Sequence, residues 1–507
     1  MICWLNCAVY LWGIRIRCIE LNLLNYFNSN FIRPHMNRKL LFLWIAACAL
    51  TTLTFASQTG RPNVLLILTD DLGYQDLSCQ GATDIQTPHI DRLAASGVHF
   101  TDGYVTAPQC GPSRAGLLTG MSQSRFGCMD NKNDQGLPSA DVVQLISEQL
   151  KSQGYTTGLI GKWHVGFMES EKEGHATRLG HHPWERGFDY TLKHHGGMSH
   201  LFPYRADGWK WMTSRKREPR LQQKLVGEEA PTYLDGLPTD TYLTDIFSDK
   251  AVEFIETNQD EPWFLYLSYN APHTPCSAPK DKLQQFADVE DPKRRMMAAM
   301  MSSLDDGVGE IVVALKASGQ LENTLVWFLS DNGGPTAKNG SRNDPFSGLK
   351  GDVYEGGIRV PFMLSWPGTL PAGKVISEPV ISLDILPTSL AAAGVTQVPD
   401  IHEGNNLLPW LTGQGDFPNE VLYWSWRSNN QAIRIGSLKE IRNGRPIPAL
   451  DGTQIPKHNF VDLATNPTEL AGEHSLKSPE KKQLLASRLD AWLEQLEADA
   501  QVLTPKQ

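Results

Sequence analysis

The sequence predicts an α/β protein: a large mixed, mostly parallel sheet covered by helices on both faces, followed by a small C-terminal antiparallel sheet plus helix. Three observations predict it. Continuous apolar runs such as VLLILT, Val64 to Thr69, suit strands buried on both faces. Segments of helical period alternate with these runs, the pattern of parallel strands joined by crossover helices. After Pro418 the pattern shifts to short strands at hairpin spacing.

Residues 1–56 stand apart as a leader. Arg38-Lys39 precede an uncharged run, Leu40 to Ala56, with small residues Thr54 and Ala56 near its end. A basic, then apolar, then small-residue order describes a secretory signal peptide over 36–56. Met36 reads as the start, with 1–35 an upstream extension. The competing reading is a retained membrane anchor, although the run is about one residue short of a comfortable span. Residues 57–417 read as the main α/β domain and 418–507 as an α+β subdomain.

Within the main domain, 87–97 reads as a helix with Ile90, Leu93 and Ala94 on one face and Gly97 as its stop. A helix over 142–154 leads into a strand over 157–160. Two more buried strands are expected at 264–269 and 325–329, with a long amphipathic helix over 296–318 between them. The middle, 169–238, is rich in His, Trp, Gly, Arg and Pro and has no clear period, which suits functional loops. In the subdomain, 421–426, 431–435 and 437–442 read as strands and 478–498 as a closing helix.

Hydrophobic residues make up 41% of the 507 and charged residues 20%, a globular mix. The net charge is −10; the leader carries five bases and one acid, so the remainder carries −14. That acidic balance excludes a general nucleic-acid binder. Cys79, Cys110, Cys128 and Cys276 lie outside the leader, too few for a disulfide scaffold and at no zinc spacing.

Four groups of residues carry candidate chemistry, each at a predicted strand end or a following loop, where open α/β sheets place ligands. Asp70-Asp71 directly follow VLLILT. Adjacent carboxylates there suit a hard cation, or simply cap a turn. Asp331-Asn332-Gly333-Gly334 follow a second buried strand and add two oxygen donors beside glycines. Cys110 opens Cys110-Gly-Pro112-Ser113-Arg114. Pro112 suits the first helical position, which puts Cys110 at a helix N-terminus whose N–H groups and dipole favour an anion. Arg114 adds a guanidinium fork. Lys162 and His164 in Gly-Lys-Trp-His, His273 in Ala-Pro-His-Thr and Lys350 in Gly-Leu-Lys-Gly complete the set. Taken singly, each has an ordinary structural reading.

Cys-x-Pro-Ser-Arg-x-x-Leu-Leu-Thr-Gly, Cys110 to Gly120, resembles the signature of the formylglycine-dependent (type I) sulfatases of the alkaline phosphatase superfamily. Gly161-Lys-Trp-His164 is similar to that family's second signature. The resemblance continues through Asp70-Asp71, Pro272-His273, Asp331-Asn332-Gly333, Lys350 and Glu355-Gly-Gly-Ile-Arg359-Val-Pro361, and spans about Arg61 to Pro467.

The resemblance implies an alkaline phosphatase-like fold and a sulfuric ester hydrolase. Cys110 would be oxidised to formylglycine by a separate maturation enzyme. Asp70, Asp71, Asp331, Asn332 and modified residue 110 would hold one divalent cation, Ca²⁺ or alternatively Mg²⁺. Arg114, Lys162, His273 and Lys350 would surround the sulfate, and His164 would contact residue 110. One hydroxyl of the hydrated aldehyde would attack sulfur, with His273 protonating the leaving oxygen. His164 would deprotonate the second hydroxyl, which expels sulfate. Fixed cations suit the charge that builds as the S–O bond breaks. A hydrolase of the same superfamily acting on phosphate mono- or diesters or phosphonates is the alternative, and a catalytically dead sugar-binding protein is a third reading.

A sulfated carbohydrate is the expected substrate, because an export signal accompanies an aromatic, His-rich middle segment; an aryl sulfate is the simpler one. Trp184, His194, His195, His200, Trp209 and Trp211 would line a sugar pocket, or equally pack the loops together. The short leader favours an exported, periplasmic or secreted enzyme over a lysosomal one.

Overall fold

The computed structural model describes residues 60–131, 136–165, 182–194, 222–225, 228, 232–233, 241–427, 429–443, 446–448 and 452–503. The leader, 1–56, lies outside them, as does most of the His- and Trp-rich middle segment.

The first twelve strands are β1 (Asn63–Thr69), β2 (Val98–Phe100), β3 (Gly103–Tyr104), β4 (Thr156–Lys162), β5 (Tyr190–His194), β6 (Gln222–Lys224), β7 (Thr232–Tyr233), β8 (Trp263–Ser268), β9 (Thr324–Ser330), β10 (Phe362–Ser365), β11 (Lys374–Ile376) and β12 (Val380–Ile381). β3 and β12 pair with each other. The other ten form one sheet in the order β11-β2-β10-β9-β1-β8-β4-β5-β6-β7. Its centre, β9-β1-β8-β4-β5, is parallel throughout. β10 runs antiparallel to β9 and β2, and β6 and β7 close the far edge antiparallel.

Every residue of β1, β8 and β9 is buried, because both faces of the sheet are covered. Leu65 and Ile67 point into one core with helices α1 (Pro88–Ala95), α4 (Leu243–Thr257) and α5 (Pro292–Ala317). Val64, Leu66 and Leu68 point into another with α2 (Cys110–Thr119), α3 (Ile146–Ser152) and α7 (Ile385–Ala392). The single turn α6 (Glu355–Ile358) lies near the strand ends.

Two sequence expectations change. The helix expected from 142 starts at Ile146, because Glu148 accepts the Leu145 N–H at 2.6 Å and closes the first turn there. Within 169–238, β5, β6 and β7 extend the sheet where the sequence shows no period. Backbone pairing builds this polar edge without an apolar face to reveal it.

The C-terminal strands are β13 (Val421–Trp426), β14 (Asn430–Ile435), β15 (Leu438–Arg442), β16 (Ile447–Pro448), β17 (Gln454–Ile455) and β18 (His458–Asp462). β13-β14-β15-β18 form an antiparallel sheet. β18 went unread because HNFVD is too short and polar to show alternation. One face of this sheet packs Ile433 against Leu485, Leu489 and Trp492 of α8 (Pro479–Leu503). On the other face Trp424, Ala432, Ile441 and Val461 join Tyr104, Val353 and Tyr354 in one cluster.

Candidate active site

The parallel register builds the site. β1 and β9 are neighbours with Thr69 opposite Ser330, so Asp70-Asp71 and Asp331-Asn332 leave the sheet side by side. Lys162 ends β4, and His273 follows β8 in a turn where its N–H donates to Asn270 O at 2.9 Å. Strands and loops 92 to 279 residues apart thereby meet at one edge.

Cys110 is the first residue of α2, and Pro112 sits third in the helix instead of first. Of the N–H groups at this helix N-terminus, that of Gly111 donates to Asn131 Oδ1 at 3.0 Å. Side-chain cations therefore dominate the pocket. Lys350 Nζ lies 3.0 Å from Cys110 Sγ and 2.5 Å from Asp71 Oδ1. Lys162 Nζ donates to Asp70 Oδ2 at 2.6 Å. Arg114 places Nε and Nη2 on Asp331 Oδ2 at 2.9 and 2.8 Å, and Nη1 on Lys162 O, Tyr266 and Ser268. His273 Nε2 is 3.5 Å from Asp71, and its Nδ1 contacts Thr274 O. Asn332 Nδ2 donates to Asp71 Oδ1 at 2.8 Å. His164 is half-buried beside the same cations, and its buried Nδ1 has no hydrogen-bond partner. All ten residues singled out in the sequence meet here.

Two of them hold backbone conformations that L side chains rarely adopt: φ is +69° at Asp71 and +50° at His164. Gly161 at the end of β4, φ +107°, is glycine because a Cβ would collide with Ser268 O. Packing overrides local preference where side chains must aim into the site.

Burial acts against charge at each group, and the neighbours decide the outcome. Burial would raise the Cys110 thiol, but Lys162 and Lys350 bring it down to about 6. Burial also raises Asp331, with Asp70 adding and Arg114 opposing, to about 6. Asp71 stays well below the usual carboxylate range, since Lys350 and His273 outweigh its burial. The histidines diverge. Burial together with Lys162, Arg114 and Lys350 holds His164 well below the ordinary value. At His273, Asp70 and Asp71 overcome burial and raise it. Neighbouring groups pushed apart in this way are suited to base and acid roles.

The same cluster suits a metal. Asp70 Oδ1 and Asn332 Oδ1 are buried and have no hydrogen-bond partner. Asp70, Asp71, Cys110 and His273 offer ligand atoms all within 4.8 Å of one another. Two carboxylates, Asp70 and Asp71, with the Asn332 side-chain oxygen, suit a hard divalent cation. No helix among the described residues is long and apolar enough to cross a membrane.

The sequence missed two supports. Asn339 Nδ2 donates to Asp71 O and Pro272 O at 3.1 and 3.4 Å, tying two catalytic loops together; its Gly- and Asn-rich surroundings read only as a turn. Trp426, at the end of β13, donates its indole N–H to Gln109 Oε1 at 3.3 Å. Of the sugar-pocket candidates, Trp184 stacks on His182 at 4.4 Å with Lys224 over its ring. Only the backbone of His194 is described, and His195, His200, Trp209 and Trp211 lie outside the described residues.

A family model described as Sulfatase matches residues 62–395, and one described as N-sulphoglucosamine sulphohydrolase, C-terminal, matches 350–499. Arylsulfatase A of Bos taurus is 36% identical over 399 residues, covering 74% of each chain. N-acetylgalactosamine-6-sulfatase of Homo sapiens is 32% identical, covering 75% of this chain and 71% of its own. The crystal structure of Ps i-CgsB in complex with k-i-k-neocarrahexaose superposes with a TM-score of 0.73 at 33% identity, over 87% of this chain and 93% of that one. With a family model across more than half of its length and these cations gathered around Cys110, the chain belongs to the sulfatase family of the alkaline phosphatase superfamily and is a sulfuric ester hydrolase.

Proposed function

We propose that this hydrolase removes sulfate from a sulfated carbohydrate, with formylglycine made from Cys110 by a maturation enzyme and with one divalent cation, calcium or magnesium. Convergence of Lys162, Lys350, Arg114 and His273 on Cys110, beside two unpartnered carbonyl and carboxylate oxygens, carries the reading. Residues 57–417 supply these groups and 418–507 brace them. The leader marks an exported, periplasmic or secreted protein.

Formylglycine at 110 supplies a hydrated aldehyde as nucleophile, and a cation held by Asp70, Asp71, Asp331, Asn332 and residue 110 supplies positive charge to a sulfate oxygen. The chain's own residues do the rest. Lys162 and Lys350 stabilise negative charge at residue 110, a reading the lowered thiol supports, and the same field favours sulfate and its transition state. Arg114, wholly committed to Asp331 and its surroundings, positions that carboxylate. His273, whose Nε2 lies 3.5 Å from Asp71, donates a proton to the departing sugar oxygen. His164, kept neutral, accepts a proton from the side chain of residue 110.

The carbohydrate is supported by what similar proteins are named for: an N-acetylgalactosamine-6-sulfate, and a bound neocarrahexaose. Matured protein assayed on defined sulfated saccharides and on matched phosphate esters tests the proposal. Sulfate release should dominate, vanish on chelation and return with Ca²⁺ or Mg²⁺. Preference for the phosphate esters, or an Asp331→Ala variant with undiminished metal and rate, would overturn it.

A further inference from the structure

Trp426 lies between the two chain stretches that flank the pocket. Its indole N–H donates to Gln109, the residue before Cys110, and its far edge lies 3.6 Å from where a Cβ on Gly351 would stand, the residue after Lys350. Trp426 is 5% exposed, so it is a packed wall of the rim. β13 ends there, and the chain turns at Arg427 with φ +52°. That turn lays the Arg427 guanidinium over the Trp426 ring, 4.4 Å from its centroid.

The Arg427 side chain is 44% exposed, whereas Arg114 and Lys162 are wholly buried. Its ionic partner is Asp130, Nε to Oδ2 at 3.4 Å. Asp130 precedes Asn131, whose Oδ1 accepts the Gly111 N–H. Arg427 is therefore fixed to the nucleophile helix through both Trp426 and the 130–131 segment, yet points to solvent. One ion pair at that distance, half-exposed on its Arg427 side and buried on its Asp130 side, leaves the guanidinium's other N–H groups facing solvent. A planar fork already stacked on an aromatic ring is well suited to sulfate or carboxylate oxygens.

We propose that Arg427, on its Trp426 platform, binds a second anionic group of the substrate, a sulfate or carboxylate on the sugar next to the one being desulfated. This rests on the sulfated-carbohydrate reading. It makes the C-terminal sheet a specificity element for polyanionic chains, acting outside the cations that hold the scissile sulfate.

Matured wild type and Arg427→Ala are compared for hydrolysis of 4-nitrophenyl sulfate, with three inhibitors: inorganic sulfate, a sulfated carrageenan hexasaccharide, and a hyaluronan hexasaccharide, which carries carboxylates and no sulfate. Turnover of the aryl sulfate and inhibition by inorganic sulfate should stay within about twofold. The inhibition constant of the carrageenan hexasaccharide should rise about tenfold, the loss of one charged hydrogen-bonding partner. Arg427→Lys should recover only part of it, lacking the fork. A matching rise with hyaluronan assigns the second anion as a carboxylate; a rise with carrageenan alone assigns it as a sulfate. Equal inhibition of both enzymes by both hexasaccharides, no inhibition of wild type by either, or a parallel loss with inorganic sulfate would overturn the assignment. A matured wild type that releases sulfate from neither the aryl sulfate nor any sulfated saccharide would instead overturn the underlying reading.

Discussion

The pocket's positive field can be measured at Cys110 before maturation. Lys162 and Lys350 take the thiol from an ordinary 9.0 to about 6 in spite of burial. Three pH units at about 1.36 kcal/mol each amount to about 4 kcal/mol of net preference for an anion there. In unmatured, chelator-treated protein this becomes a stability term. Because the folded-state value is depressed, the contribution is complete above pH 9 and is lost as pH falls to 6. The unfolding free energy of unmatured wild type minus that of Cys110→Ala should therefore grow by about 4 kcal/mol from well below pH 6 to well above pH 9, and the subtraction removes titrating groups that do not interact with Cys110. A unit charge 3.0 Å away is worth about 5 kcal/mol at an effective dielectric of about 20, so Lys350 should carry much of the effect. Denaturant unfolding of Lys350→Met and of Lys350→Met/Cys110→Ala completes the cycle; their difference should grow by less than half as much. A wild-type difference that stays flat with pH, or one that Lys350→Met leaves intact, would refute the electrostatic account. Matured Lys350→Met should lose about a hundred- to a thousandfold in kcat.

Protein co-expressed with a maturation enzyme should carry an aldehyde at residue 110, read by mass spectrometry of the peptide containing it; full activity with only unmodified cysteine would exclude the mechanism. His273→Ala should slow a sugar sulfate about a hundred- to ten-thousandfold and spare an aryl sulfate, whose leaving group needs no proton. His164→Ala should show a burst of released alcohol and then a slow steady state on both substrates; leaving-group dependence in the His164 variant would reverse the two assignments. Lys439 lies buried 2.7 Å from Glu355 and 2.8 Å from Glu469, so Lys439→Met should cost about 3–5 kcal/mol. Glu469 is held up at about 7, by burial first, with Glu355 adding and Lys439 opposing. Its folded-state value lies above its unfolded one, so stability falls as pH rises through 7. The variant's thermal midpoint should recover at pH 5 relative to pH 8; an equal loss at both would show that the carboxylate does not titrate.

The apolar runs of β1, β8 and β9 were legible because burial on both faces demands uninterrupted hydrophobic residues, a local pattern. The oxygen donors Asp70-Asp71 and Asp331-Asn332 were legible because each pair directly follows such a run, and Cys110 because Cys110 to Gly120 is one continuous motif. Pairing of Gln222–Lys224 onto the sheet was not, since backbone hydrogen bonds leave no imprint on a polar sequence.

The amino-acid sequence by itself determined the strand–helix alternation and which residue types would stand at the strand ends. Tertiary structure alone decided that His273 faces two carboxylates while His164 faces three cations, which shifts the two imidazoles in opposite directions. It alone brought Trp426 against Gln109 across 317 residues, and Lys439 against Glu355 across 84. The reason is physical. Period and turn chemistry act between near neighbours along the chain, whereas Coulomb energy and desolvation depend on distance through space, which exists only once the sheet has assembled.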